Sequence, residues 1–263
     1  MKIFLLTLAC LLFWSCGKEP EGNRSSRENG GKDQKGLGSL SMKEKGGKEN
    51  VHAKASDPSV HADLSAETLF EIGMRHFNAK KYEDALGHFN LGIKKYPDHP
   101  EFFDARASVY VERKEFSKAL ADREKAVSLS PDNPGFLVNR AFLYFKFGRY
   151  DAGMKDLDEA ISLDPLYFPA HFLKGRMFAG KKRFREALKE YQLCEKADPR
   201  IAKTYGTRAF VYWAMGNSEQ ALADMKKYAE MVKDPGQKEM AVKVMTAWKS
   251  GAKNGHKKEK AGK

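Results

Sequence analysis

Between residues 66 and 235 the apolar and polar positions recur every 34 residues. Four ladders share one register. Prolines stand at Pro97, Pro131, Pro165 and Pro199, and small residues at Ala85, Ala119, Gly153, Ala187 and Ala221. Beside them run Leu86, Leu120, Met154, Leu188 and Leu222, and the aromatics Tyr82, Phe116, Tyr150 and Phe184, interrupted at Ser218. A fixed period of this length predicts a solenoid, in which each unit buries its apolar face against its neighbours. With units starting at Ala66, Pro100, Pro134, Phe168 and Ala202, position 8 is always small and position 11 is His76, Tyr110, Tyr144, Phe178 and Tyr212. Positions 4, 7, 8 and 11 form one stripe at helical spacing. This predicts a first helix, A, from position 1 and a second, B, from position 17. Small residues at positions 8 and 20 let the two backbones approach closely. The proline at position 32 ends helix B, and Asn133-Pro134 supplies a cap and a first-turn proline for the next A helix. After the last unit, Ala241, Val244, Met245 and Trp248 keep helical spacing, so a final helix over 236–249 is expected to cover the end of the stack. The Lys-rich segment 250–263 reads as a disordered tail.

This pattern resembles the tetratricopeptide repeat family, over units 66–99, 100–133, 134–167, 168–201 and 202–235. The resemblance implies an all-α, right-handed solenoid of five helix pairs plus the C-terminal capping helix. Two positions depart from the family pattern. Position 24 is Phe89, Leu157 and Tyr191 in three units but Arg123 and Met225 in the others, and position 32 of the last unit is Lys233, with Pro235 two residues later.

Residues 1–16 read as an export signal: Lys2, then an apolar run from Ile3 to Trp14, then Ser15-Cys16. The run is shorter than the ~20 residues a spanning helix needs, and fits the apolar core of a secretory signal. Its end is similar to a bacterial lipoprotein signal, in which Cys16 becomes the lipidated first residue. Cys10 is the competing site, and plain secretion or a short uncleaved anchor are the other readings. Residues 17–64 mix Gly, Lys, Glu, Ser and Asn with few large apolar residues. Such a segment cannot offset its ordering entropy and is expected to be a disordered tether. As a flexible coil it would hold the repeats on the order of 40 Å from a membrane. Of the chain's three cysteines only Cys194 lies in the repeats, at position 27, where a small core residue is expected rather than a nucleophile.

In the family, positions 2, 5, 9, 12 and 13 of the A helices face a concave groove. The candidate groove residues taken from these positions are Phe70, Met74, Phe77, Asp104, Phe142, Phe145, Phe172, Arg176, Phe210 and Trp213; Lys146 and Lys203 also fall on them. Position 5 is Phe70, Asp104, Val138, Phe172 and Gly206, so the Lys- or Arg-based clamp that holds chaperone C-termini is missing. The aromatic series points instead to an amphipathic helix or an extended apolar peptide from another envelope protein. The alternative is that the rings pack between neighbouring A helices.

The net charge is +12, from 47 Lys and Arg against 35 Asp and Glu, spread over the loops rather than gathered in one arm. Such a balance favours anionic surfaces or acidic partners, while an export signal argues against nucleic acid. No phosphate loop, HExxH, CxxC pair or nucleophile elbow occurs. His76 and His171 sit at inward positions. An enzyme is therefore not expected, nor a metal, a cofactor or a catalytic residue. The combined expectation is a membrane-anchored scaffold for protein–protein interaction, attached by its N-terminal lipid to a bacterial cell envelope, at the outer membrane in preference to the inner one. The runner-up is a surface-exposed lipoprotein that binds a host or extracellular ligand.

Overall fold

The structure, a computed structural model, describes residues 64–260, with side chains to residue 250. The segments expected to be an export signal ending at Cys16 and a tether lie outside the described residues, up to residue 63. Among the described residues there are eleven helices and no strand. They are α1 (Ala66–Asn78), α2 (Tyr82–Lys95), α3 (Pro100–Glu112), α4 (Phe116–Leu129), α5 (Pro134–Lys146), α6 (Tyr150–Leu163), α7 (Phe168–Gly180), α8 (Phe184–Ala197), α9 (Ala202–Ala214), α10 (Ser218–Met231) and α11 (Pro235–Lys260). Helices α1 to α10 form five A–B pairs, stacked in chain order. Every A helix starts at position 1 and has 13 residues; every B helix starts at position 17 and has 14.

The identical lengths have local causes. Pro100 and Pro134 open their helices, and Asn133 Oδ1 accepts from the Gly135 and Phe136 amides at 2.9 and 3.4 Å. Such caps and N-terminal prolines satisfy or remove the orphan donors of a first turn. Each A helix ends in the same closing motif. The residue at position 15 takes a left-handed backbone: Lys80 (φ 59°), Lys114 (61°), Gly148 (71°), Lys182 (59°) and Gly216 (83°). The next amide then reaches back to the carbonyl at position 11, as Lys81 to His76 at 2.9 Å, Arg149 to Tyr144 at 2.8 Å and Asn217 to Tyr212 at 2.9 Å. This is a Schellman-type C-cap, and it sets the sharp return of the chain. At its N-terminal edge the stack also holds the incoming chain: the Leu64 carbonyl accepts from Tyr96 Oη at 2.9 Å and Lys95 Nζ at 3.3 Å, both at the end of α2.

Inside each pair, position 8 packs against position 24. The two choices are matched. Where position 8 is glycine, position 24 is a ring: a Cβ on Gly73 would lie 2.4 Å from the Phe89 ring, and one on Gly175 would lie 2.8 Å from Tyr191. Where position 8 is Ala107, Ala141 or Ala209, position 24 is Arg123, Leu157 or Met225. All of these residues are buried. The departures at Arg123 and Met225 are therefore steric partners of an alanine.

A polar ladder crosses the same interface from position 7 to position 23. Arg106 grips Asp122 through two bonds of 2.7 Å, Arg140 grips Asp156 at 2.8 and 2.8 Å, and Arg208 grips Asp224 at 2.7 and 3.0 Å. In the fourth unit Lys174 and Glu190 stand at 3.7 Å. Position 7, on the stripe that faces the second helix, is thus an ion-pair site in units two to five. Bidentate arginine–carboxylate pairs fix geometry as well as charge.

Helix α11 packs along the last pair, with Ala241 and Trp248 buried. It does not stop at 249: its backbone continues to Lys260, where a disordered tail was expected from residue 250. No proline follows Pro235, and Ala, Lys and Glu in this segment are good helix formers. No helix among the described residues is long and apolar enough to cross a membrane.

Candidate functional site

The groove-facing positions lie on α1, α3, α5, α7 and α9. The structure separates the ten candidate residues into four settings. In the first unit, Phe70 packs against Phe89 and Phe102 (ring centroids 6.2 and 5.9 Å), Phe77 against Tyr82 (6.1 Å), and Met74 joins the same apolar cluster. All three are half-buried.

In the second unit, Asp104 is the end of a polar network. Its carboxylate accepts from Asn139 Nδ2 at 3.1 Å on both oxygens and lies 3.8 Å from Arg123 Nε. Arg123 is 1% exposed, donates to the Asn139 carbonyl at 2.5 Å, and reaches Ser108 Oγ at 3.4 Å. Burying a guanidinium is costly unless it is paired, and here these contacts tie the groove surface to the core.

In the third and fourth units, Phe142, Phe172 and Arg176 are half-buried along the groove. Phe172 stacks on Phe168 (5.5 Å, 15° between planes) and leans on Tyr191 (6.0 Å). Lys203, from the next unit, holds its ammonium 5.1 and 5.0 Å from the Phe168 and Phe172 ring centres. Lys146 does the same over Phe142 at 5.5 Å. These are cation–π distances. Burial pushes the pKa of Lys203 down, and the nearby Arg176 charge adds to that; Lys146 is lowered by burial first and Arg176 second.

Phe145 is not in the groove. It is 8% exposed and belongs to the central core cluster. Its ring fills the space over Gly153, where a Cβ would lie 2.6 Å away. The other units carry alanine at that position and leave no such space. Phe210 and Trp213 are covered instead by α11: Trp248 stacks on Trp213 (4.8 Å, 8°) and meets Phe210 edge-on (5.3 Å, 83°).

The chemistry-bearing groups outside the groove are structural. Cys194 is fully buried and its thiol is pushed up to about 12 by desolvation, the opposite of an activated nucleophile. His171 Nδ1 lies 2.7 Å from Glu190 Oε2, and Nε2 donates to the Pro165 carbonyl at 3.0 Å. His76 stacks on His88 at 5.1 Å. Among the described residues no group of three His, Cys, Asp or Glu side chains is arranged to hold a metal. Lys146 and Lys203, absent from the candidate set, are the groove residues that aromatic counting missed. Their signal was the groove register itself, positions 13 and 2.

Residues 139–200 and 202–232 match models of the tetratricopeptide repeat, so these units are tetratricopeptide repeats. Such repeats are protein–protein interaction scaffolds. No curated protein matches the sequence. Among solved structures, a thermophilic TPR protein of Thermus thermophilus is 19% identical with a TM-score of 0.60, the match covering 69% of this chain and 100% of that one. A tetratricopeptide repeat protein from Parabacteroides merdae is 20% identical, TM-score 0.60, covering 75% of each chain. Yeast Tom70 is 17% identical, TM-score 0.63, covering 72% of this chain and 41% of that one. At these identities the likeness is one of fold.

Proposed function

We propose that this chain is a tethered scaffold that captures a helical or extended apolar peptide of another envelope protein in the groove of units three and four. The observation that supports this reading is the floor formed by Phe142 and Phe172, rings that pack against the core on one side and remain only half-buried. A ring left at this depth retains apolar surface for a ligand, and aromatic anchors of this kind dominate interface energies. The N-terminal signal supports lipid attachment at Cys16 and so a place in a bacterial cell envelope.

The test is site-specific photo-cross-linking from positions 142 and 172 of the full chain in its own membrane. Capture of one discrete partner is expected from both, and Phe142→Ala with Phe172→Ala should abolish it while helicity by circular dichroism is kept. Capture that survives the double substitution would sink the groove assignment. Phe145 is unsuitable for this purpose, because its loss opens the core. Cys16→Ala should release the chain from the membrane fraction; a variant that stays membrane-bound would refute the anchor.

A further inference from the structure

We infer that α11 is a membrane-contacting arm, whose lysine stripe rests on the headgroups of a bilayer containing anionic phospholipid. The inference concerns a face that the groove reading leaves unused. Residues 235–263 carry eight Lys and no Arg against two Glu, so half of the chain's net charge of +12 falls in its last 29 residues. A disordered tail would scatter these charges, whereas a helix puts them in register. Lys249, Lys253, Lys257 and Lys260 recur at intervals of four, four and three, and Lys238 stands 11 residues before Lys249. At about 100° per residue these five positions fall within one arc of roughly 100°. Ala241 and Trp248, the residues that α11 buries against the last pair, lie on another side of the helix, so stripe and packing face do not compete. Lys238 and Lys249 are exposed, and Val242, on the same stripe, is 49% exposed. Helix α11 has 26 residues against 13 in α9 and 14 in α10, so its last 12 extend about 18 Å beyond the pair it caps.

The composition of the stripe selects the partner. Lysine ammonium groups are compact point charges on flexible stems, and each can meet any headgroup of a fluid anionic surface. The planar forks of arginine, which grip one phosphate in a fixed geometry, do not occur in residues 235–263. No aromatic residue follows Trp248, so the arm has no ring on which a base could stack. The apolar side of α11 is already spent on the last pair, which leaves the contact electrostatic and reversible by salt. A helix with several clustered lysines is what the negative potential of an anionic leaflet attracts. Held in this way, the C-terminal end of the stack sits at the bilayer surface, and the groove takes a set orientation to it.

The experiment measures how close α11 comes to a lipid surface in the full chain. Cys10→Ala and Cys16→Ala leave the buried Cys194 as the remaining native thiol, so a donor dye on Asn254→Cys, just off the stripe, reports on α11. Energy transfer to acceptor-labelled headgroups is read on vesicles of neutral phosphatidylcholine and on vesicles with about 30% phosphatidylglycerol. Transfer on the anionic vesicles is expected to exceed that on neutral ones at least about threefold, and to lose this excess in about 0.5 M salt. Any hold of the N-terminal segment on lipid is common to the variants compared, so the result does not hinge on the anchor. Changing Lys249, Lys253, Lys257 and Lys260 together to Gln should bring transfer down to the neutral level, while the same four changed to Arg should keep it. Helicity and thermal melting equal to the parent in both variants separate binding from folding. Equal transfer on the two kinds of vesicle, or transfer that survives the change to Gln, would overturn the inference. So would tighter binding of a single-stranded oligonucleotide that is lost in the same Gln variant, since the stripe would then serve nucleic acid.

Discussion

The two halves of the groove are built on the same repeat and end up with opposite surfaces. In unit two, position 24 is Arg123, and its guanidinium passes from the core to the groove and ties down Asp104, Ser108 and Asn139. In units three and four, position 24 is the buried Leu157 and Tyr191, and the groove surface is left to rings and cations. One buried position therefore decides whether the surface above it is sealed by internal hydrogen bonds or carries an apolar floor for a ligand. A repeat scaffold can vary its binding face through residues that no ligand touches.

The largest expected effect comes from breaking the sealed half. Arg123→Ala leaves Asp104 without its buried counter-charge and the Asn139 carbonyl without its donor, and should cost about 3–5 kcal/mol, read by urea denaturation. The double change Arg123→Leu with Asp104→Val copies the pairing of Leu157 and Val138 in unit three and should recover most of that loss; a double variant as unstable as Arg123→Ala would show that the network is not a self-contained alternative. Next comes the boundary between core and groove. Gly153→Ala places a Cβ against the Phe145 ring and should cost roughly 1–3 kcal/mol, the usual penalty for overpacking. The same substitution combined with Phe145→Leu should be milder, and equal losses in the two would disprove the steric origin.

Two smaller effects sharpen the contrast. Lys203→Met keeps an apolar stem on Phe168 and Phe172 and removes a charge already opposed by Arg176. Its stability should stay within about 0.5 kcal/mol of the parent in the same denaturation assay, against the large cost at Arg123. The histidines of units one and four should respond to pH with opposite sign. Burial alone would lower the His171 pKa, but its bonds to Glu190 and the Pro165 carbonyl outweigh burial and the pKa is raised. Its stabilisation is therefore complete below the unfolded value of about 6.5 and fades as pH rises through the higher folded value. His76 is lowered, by burial first and the His88 charge second, so its contribution is present above about 6.5 and fades as pH falls through the lower folded value. The stability gap between parent and His171→Gln should narrow toward alkaline pH, and that for His76→Gln toward acid. Gaps that move together would refute the assignment.

The periodicity made the ten repeat helices legible. Helix starts at positions 1 and 17 follow from the proline, small-residue and aromatic ladders, because each answers to a local constraint repeated in every unit. The groove was only partly legible. Its positions were, but the depth of a ring there depends on a neighbour far away in sequence: Gly153 draws Phe145 inward, and Trp248 covers Phe210 and Trp213. The ion pairs from position 7 to 23 were visible as a spacing of 16 residues between Arg106 and Asp122, Arg140 and Asp156, and Arg208 and Asp224. The stripe of positions 4, 7, 8 and 11 was read only for its helical spacing, so the pairs were not drawn from it.

The pinned Leu64 carbonyl has a mechanical meaning. Because Tyr96 and Lys95 grip it from the far end of α2, tension arriving along the preceding chain is delivered to both helices of the first pair together. Pulled from that end, the stack is loaded in shear across a whole hairpin instead of being unzipped one turn at a time.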